Sequence, residues 1–178
     1  SVVYKRQAGH GYRVHMLQFM KGGADSVDDV RGEYNAIAAM PGFSYENTGH
    51  YGWHNMADGS REEDHESEAD AALERTRDLV AAATDADLDS PFALDSDPAD
   101  GVHMLILDEI LYAADRELVA PEVVCELIGD QPAGLGLALT GSHSEPRYLD
   151  EHADLISEIS KHKHPIDAGQ RARSGTEY

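Results

Sequence analysis

Apolar residues concentrate in short runs that predict the strands of the protein. Residues 12–19 read as a strand that runs into a glycine-marked turn at residues 20–23. The nearly continuous apolar runs at 103–107 and 135–140 are typical of strands buried on both faces of a parallel sheet. Shorter strands are predicted at 43–45 and 155–159.

Between these runs, the spacing of apolar residues changes to that of helices. Val30, Tyr34 and Ile37 lie on one face of a predicted helix at 27–40. A long helix is predicted at 62–84, with acidic residues at its start, as the helix dipole favours. Further helices are predicted at 110–114, 121–128 and 148–152. The alternation predicts a three-layer α/β fold with a mostly parallel sheet.

Composition narrows the class of protein. The 178 residues suit a single domain, and the aspartate-rich stretch 85–100 is interpreted as a solvated surface insertion within it. The formal net charge of -20 disfavours non-specific binding to nucleic acid or anionic lipid. It fits a surface that stays hydrated in concentrated salt, so we interpret the chain as halophilic; an ordinary acidic cytosolic protein is the alternative.

The cysteine count and hydropathy predict a cytoplasmic protein. Cys125 is the only cysteine, so no disulfide can form within the chain and a reducing compartment is expected. It stands in an apolar run and is predicted to be a buried structural thiol rather than a nucleophile. No apolar stretch approaches the ~20 residues of a membrane span, and no signal peptide is visible.

The acidic pair Asp108-Glu109 is the sharpest chemical signal. Acidic residues at the carboxyl end of an apolar strand lie in the crevice where open α/β sheets bind ligands. Carboxylates there suit Mg²⁺ held jointly with nucleotide phosphates, the Walker B arrangement. Such a pair is also a common start of a helix. Lys21-Gly22 and Thr140-Gly141 follow other predicted strands and would open on the same edge of the sheet.

A phosphate-binding loop of the type GxxxxGK[ST] does not occur in these 178 residues. Other candidate ligand groups lie in loops. His50, Tyr51 and Trp53 could form an aromatic wall for a flat ligand, or the loop could simply be anchored by one buried tryptophan. Arg171 and Arg173 would suit a segment folding over an anionic ligand or belong to an exposed tail. The ten histidines form no convincing zinc set.

Taken together, the motifs resemble those of the P-loop ATP:corrinoid (cob(I)alamin or cob(I)yrinic acid a,c-diamide) adenosyltransferases. The resemblance covers nearly the whole chain and is most specific at the C-terminus. The matching residues are Gly9-His10-Gly11, Leu17 to Gly22, Gly32-Glu33, Thr48-Gly49, Trp53, Leu107-Asp108-Glu109, Thr140-Gly141, Ala153-Asp154, His164, Asp167-Ala168-Gly169, Ala172, Gly175, Glu177 and Tyr178.

The resemblance implies a P-loop NTPase-like (RecA-like) fold and a specific reaction. In this family, cobalt(I) of a corrinoid attacks C5′ of ATP, and triphosphate leaves. Asp108 and Glu109 would organise Mg²⁺ (or Mn²⁺), and the loop containing His50, Tyr51 and Trp53 would pack on the corrin. Lys21, Thr140, Arg171 and Arg173 would contact the nucleotide. A homodimer is expected.

Three departures from the family pattern bear on this expectation. The family's aromatic loop is shorter by one residue, so either His50 or Tyr51 could take the place of its first aromatic residue. Ser142-His143 stand where bacterial members carry arginine. The family's first strand and its GxGKGKTT-type loop should precede Gly9, and residues 1–7 do not resemble them. The alternatives are therefore a non-catalytic corrinoid-binding remnant without ATP binding, or another P-loop-type ATPase.

Overall fold

The structure, a computed structural model, describes residues 9–22, 32–49, 62–93 and 95–170. Four strands and four helices occur in this part of the chain, with 3₁₀ turns at Pro98–Asp100, Arg147–Leu149 and Pro165–Ala168. The strands are β1 (Val14–Gly22), β2 (Phe43–Gly49), β3 (Met104–Asp108) and β4 (Gly136–Leu139). The helices are α1 (Gly32–Ala38), α2 (Glu62–Asp85), α3 (Ile110–Asp115) and α4 (Pro121–Gly129). None of the described helices combines the length and hydropathy of a membrane-spanning segment.

The strands form one sheet in the order β2-β1-β3-β4, and every neighbouring pair is parallel. Parallel pairing directs the carboxyl ends of all four strands to one edge. Helices flank this sheet, so the predicted α/β architecture is confirmed and is consistent with a P-loop NTPase-like fold.

Alternation along each strand divides the core into two clusters. Leu105 and Leu107 face the larger cluster, which includes residues of α2, α3 and α4. Met104 and Ile106 face a smaller cluster with Val14 and Phe43. Because successive side chains of a strand point to opposite faces, the sheet has a helical layer on each side.

Helix α2 covers the larger cluster with a continuous apolar stripe. Ala69, Ala72, Leu73, Leu79 and Ala83 are buried on it at the three- and four-residue spacing of one helical face. Thr76 also lies on this face, and its hydroxyl donates to the Ala72 carbonyl at 2.8 Å, so its buried oxygen is satisfied. The 24-residue helix therefore depends on this packed face rather than on its charged remainder.

A group of polar side chains lies between β1, β2 and α2. His15 is 1% exposed, and its Nδ1 lies 2.8 Å from Ser44 Oγ. Arg75 donates twice to the Glu46 carboxylate, at 2.8 and 2.6 Å. Burial lowers the pKa of His15 to about 4, more than the attraction of Glu46 raises it. His15 is therefore neutral at pH 7, and its 3.5 Å contact with Glu46 is not an ion pair there.

Several predicted boundaries are wrong. The turn predicted at 20–23 is strand as far as Gly22, and the strand predicted at 43–45 extends to Gly49 and so takes in Thr48. The helix predicted at 148–152 is a 3₁₀ turn at Arg147–Leu149 followed by turn residues. Cys125, predicted to be buried, is only half-buried, and burial raises the pKa of its thiol.

The strand predicted at 135–140 is confirmed as β4, but its predicted burial is wrong, and the strand predicted at 155–159 is absent. Strand β4 was expected to be buried on both faces, but all four residues are half-buried because only β3 pairs with it in the described part of the chain. Residues 155–159 form no strand, and Leu155, Ile156 and Ile159 are 83%, 46% and 94% exposed. In the stretch predicted to be a solvated insertion, none of the described residues of 85–100 is buried, as expected.

Candidate active site

A row of polar side chains lies at the carboxyl edge of the sheet. The strand register places Gln18 beside Asn47 of β2 on one side and beside Asp108 of β3 on the other. Paired residues of parallel strands project to the same face, here the face of the smaller cluster. Thr140 follows β4 directly and joins the same group through a hydrogen bond. We call Asn47, Gln18, Asp108 and Thr140 the polar row.

Asp108 is held at both carboxylate oxygens within this row. Gln18 Nε2 donates to Oδ2 at 2.8 Å, and Thr140 Oγ1 donates to Oδ1 at 2.8 Å. Hydrogen bonds to an ionised carboxylate are the stronger kind, and two of them fix the plane of the group. Each oxygen has a second lone pair, so a carboxylate in this setting can still accept from a ligand or a metal-bound water.

Glu109 leaves the strand conformation as soon as β3 ends. Its φ of 66° lies in the left-handed region, which costs a non-glycine residue about 1–3 kcal/mol. Its backbone N–H donates to Thr140 Oγ1 at 3.2 Å, and the N–H of Leu111 donates to the Thr140 carbonyl at 3.1 Å. The residues after β3 and after β4 are thereby bonded to each other, and this maintains the turn at Glu109.

Gly141 makes this close approach possible. Its φ is 106°, which L side chains rarely adopt. A Cβ atom at this position would lie 2.6 Å from Glu109 Oε2 and 2.7 Å from Glu109 Cα, closer than carbon atoms can approach. The Thr140-Gly141 pair therefore serves two functions: the threonine binds Asp108, and the glycine leaves space for Glu109.

The loop after Gly141 is fixed from α3. The Asp115 carboxylate accepts from the hydroxyls of Ser142 and Ser144 and from the His143 backbone N–H, the last at 2.6 Å. Partial burial alone would raise the pKa of Asp115, but the hydrogen bonds from Ser144, His143 and Ser142 outweigh it and hold that pKa below its ordinary value. The loop at this edge of the sheet is thus anchored to the body of the fold.

Two amide oxygens of the polar row have no hydrogen-bond partner. Gln18 Oε1 and Asn47 Oδ1 are both buried from solvent and unsatisfied, and Gln18 as a whole is 2% exposed. Leaving a buried acceptor without a donor costs about 1–3 kcal/mol. Native structures contain few such groups, and they mark places where a ligand, ion or water supplies the missing partner.

The donor atoms of this edge are those preferred by a hard divalent cation. Carboxylate, hydroxyl and amide oxygens converge here, and Mg²⁺ is bound in proteins by one or two carboxylates while it keeps several waters. Within the described residues, no three His, Cys, Asp or Glu side chains group together as metal ligands. The set therefore fits Mg²⁺ shared with a ligand and does not fit a closed, all-protein metal site.

Comparison with known proteins shows the family to which this chain belongs. The family model described as ATP:corrinoid adenosyltransferase BtuR/CobO/CobP matches residues 3–178. The chain belongs to the ATP:corrinoid adenosyltransferases. The corrinoid adenosyltransferase of Pseudomonas aeruginosa is 28% identical over 97% of this chain and 73% of its own length. The corrinoid adenosyltransferase of Escherichia coli (26%) and corrinoid adenosyltransferase CobA of Salmonella typhimurium (28%) each match 97% of this chain and 74% of their own length.

The structure of this family member brings three of the predicted site residues together: Asp108, Glu109 and Thr140. Lys21 lies in β1, one residue before the strand ends at Gly22, and only its backbone is described. The remaining predicted residues lie outside the described residues: His50, Tyr51, Trp53, Arg171 and Arg173.

Sequence reasoning assigned no role of its own to Gln18. The signal was available, since Gln18 is the one uncharged polar residue on the smaller-cluster face of β1, following Val14 and Met16 in alternation. A polar residue at a buried position of a strand needs a partner. Its partner, Asp108, lies 90 residues away in sequence, so the pairing could be predicted only if the order of the strands in the sheet were known.

Proposed function

We propose that this protein transfers the 5′-deoxyadenosyl group of ATP to cobalt(I) of a corrinoid, in cobalamin biosynthesis or salvage. In this reaction, cobalt(I) donates an electron pair to C5′, the C5′–O bond breaks, and triphosphate leaves with the bonding pair. The observation that supports the proposal most directly is Asp108 held at both oxygens at the carboxyl edge of a sheet in a chain of this family.

The chemistry asks the protein for orientation and charge rather than for a nucleophile. The substrate cobalt is the nucleophile, so the site has to align C5′ with it and stabilise the departing triphosphate. Asp108 and Glu109 would hold Mg²⁺ (or Mn²⁺), which when bound supplies positive charge to the triphosphate. Thr140 and Gln18 would hold the Asp108 carboxylate in a fixed orientation through their hydrogen bonds.

The predicted site residues whose side chains the structure does not describe enter this proposal through the family resemblance. His50, Tyr51 and Trp53 would pack against the corrin, and Lys21, Arg171 and Arg173 would contact the nucleotide. By the same route we propose a homodimer and a single domain over residues 1–178. The lone Cys125 supports a cytoplasmic location, and the charge of -20 supports a halophilic source.

Phosphate binding is the weakest part of the site in these 178 residues. None of the four lysines follows a glycine, so no segment can supply the backbone cradle and lysine of a P-loop. We therefore expect the chain to bind corrinoid but to convert it slowly.

The test measures binding and turnover on the same preparation. Corrinoid binding is followed by quenching of the fluorescence of Trp53, the only tryptophan. Turnover is followed as adenosylcorrinoid and triphosphate formed from chemically reduced cob(I)alamin, ATP and Mg²⁺. Asp108→Asn is the test variant and Asp130→Asn, at the end of α4, the matched control.

Each pattern of results has a definite meaning. Slow product formation that Asp108→Asn reduces at least ~10-fold and Asp130→Asn leaves unchanged supports the proposal. Quenching without any product favours the non-catalytic corrinoid-binding alternative. ATP hydrolysis without quenching favours another P-loop-type ATPase. Robust turnover by the 178 residues would retain the function and show that the missing phosphate cradle is not needed.

A further inference from the structure

We propose that Gln18 is a positioning residue of the cation site, which orients Asp108 through Nε2 and accepts through Oε1 a hydrogen bond from a water bound to the cation. This inference rests on the proposed function only in requiring a divalent cation at Asp108. It concerns a residue that the acidic pair alone does not reveal.

The chemistry of the partner fixes which way the amide of Gln18 points. An ionised carboxylate can only accept hydrogen bonds, so the atom of Gln18 that lies 2.8 Å from Asp108 Oδ2 has to be the Nε2 donor. Oε1 is bonded to the same carbon as Nε2, so the acceptor of this amide also lies at the carboxyl edge of the sheet. It is buried and has no partner.

The backbone of Gln18 is held on both sides, so the point from which its side chain projects is fixed. Gln18 is in register with Asn47 and Asp108, and its carbonyl accepts from Thr48 Oγ1 at 3.0 Å. The regular register with β2 is interrupted directly after Gln18, and Met20 has a φ of 55°. Irregularities of this kind at strand ends re-aim the neighbouring side chains and occur preferentially beside active sites.

A purely structural glutamine would have both ends of its amide satisfied. Here only the donor is used, and the adjacent Asn47 Oδ1 is also buried without a partner. Acceptors next to a carboxylate require a ligand rich in donors. A hydrated Mg²⁺ presents polarised O–H groups in several directions, so one bound water can donate to Asp108 and another group to Gln18.

The experiment measures cation affinity on the whole chain, independently of turnover. Mn²⁺ replaces Mg²⁺, and the free ion is counted from its electron paramagnetic resonance signal in the presence and absence of ATP. Gln18→Met keeps the length and volume of the side chain and removes the amide. Gln131→Met is the matched control, because Gln131 donates to the Leu135 carbonyl at the opposite end of the sheet. Asp108→Asn marks the loss of the site.

Loss of an outer-shell partner typically weakens metal binding 10–100-fold, and we expect about that loss for Gln18→Met and no change for Gln131→Met. Unchanged Mn²⁺ affinity in Gln18→Met, while Asp108→Asn loses it, would overturn the role of Gln18 and leave the proposed function intact. If the wild-type chain binds corrinoid but no Mn²⁺, both the cation site and the role of Gln18 are wrong, whereas failure of corrinoid binding counts against the proposed function itself.

A second measurement needs no variant to fold. In the ¹⁵N-labelled wild-type chain, Mg²⁺ should shift the side-chain amide resonances of Gln18 and leave those of Gln131 in place. Gln18 resonances that stay fixed while Mg²⁺ binds would refute the proposal.

Discussion

Acidification should destabilise the protein through His15, which lies on the opposite face of β1 from the polar row. His15 is buried between β1, β2 and α2, and burial lowers its pKa to about 4. Ser44 and Glu46 face it from β2, Arg75 faces it from α2, and Arg13 and Asp97 act on it at longer range. Of these groups, Glu46 and Asp97 favour the protonated ring, and Arg75 and Arg13 oppose it.

The sign follows from where the proton binds. The unfolded ring has a pKa near 6.5, so between pH 6.5 and about 4 the unfolded chain takes up a proton that the folded chain does not. The stabilising effect of His15 is therefore complete above pH 6.5 and disappears as the pH falls towards 4. Since one pKa unit corresponds to about 1.36 kcal/mol, the total loss is about 3 kcal/mol, of which about 2 kcal/mol is lost by pH 5.

The assay compares the free energy of unfolding at pH 7.5 and pH 5.0, from urea titrations of the wild-type chain and His15→Gln at constant KCl. Groups that do not interact with His15 contribute equally to both proteins, so the difference between the two pH dependences reports on His15 and its interaction with Glu46. We expect the wild-type chain to lose about 2 kcal/mol more than the variant over this interval. Parallel pH dependences would refute the argument that the buried ring is neutral in the folded state.

Two further predictions concern the sheet edge and the surface charge. Gly141→Ala should cost roughly 1–3 kcal/mol of stability because of its φ of 106°, and it should abolish Mn²⁺ binding by displacing Glu109. Gly134→Ala is the matched control: it is strained at φ 95° against Leu88, so it should cost a similar amount of stability but retain Mn²⁺ binding. Equal Mn²⁺ affinity in the two variants would show that Gly141 has no role in the site. Raising KCl from about 0.1 to 1 M shortens the Debye length from about 10 to 3 Å, so a chain of charge -20 should melt at higher temperature in a thermal scan. A melting temperature that falls with KCl would contradict the interpretation as a salt-adapted surface.

The sequence predicts the elements whose burial follows from their own pattern of apolar residues. Residues 103–107 form an apolar run, and strand β3 (Met104–Asp108) follows it closely because burial on both faces requires this pattern. Helix α2 was predicted within one residue, since its face of alanines and leucines has a clear helical period. The wrong predictions are the burial of β4 and the strand at 155–159. Both depend on which strand lies beside the segment, and the sequence of the segment does not specify that neighbour.

The site likewise combines a residue that local sequence predicts with contacts that it does not predict. Asp108 could be predicted because the end of an apolar strand is a local feature with a general meaning in parallel sheets. Its hydrogen bonds could not, because Gln18 is 90 residues away and Thr140 is 32 residues away, and their meeting depends on the order β2-β1-β3-β4. A polar residue in the buried phase of a strand is the sequence signal that would have found Gln18.

The two acidic residues that look equivalent in sequence have different positions in the structure. Neighbouring side chains of a strand point to opposite faces, so a strand continued through Glu109 would direct it away from Asp108 and the polar row. The left-handed backbone at Glu109 ends that alternation, and Gly141 leaves room for its carboxylate. Asp108 is thus fixed by two donors of the polar row, while Glu109 depends on a strained turn and a glycine. The position of the Glu109 carboxylate should therefore be more sensitive to changes in the Thr140-Gly141 turn than the position of the Asp108 carboxylate.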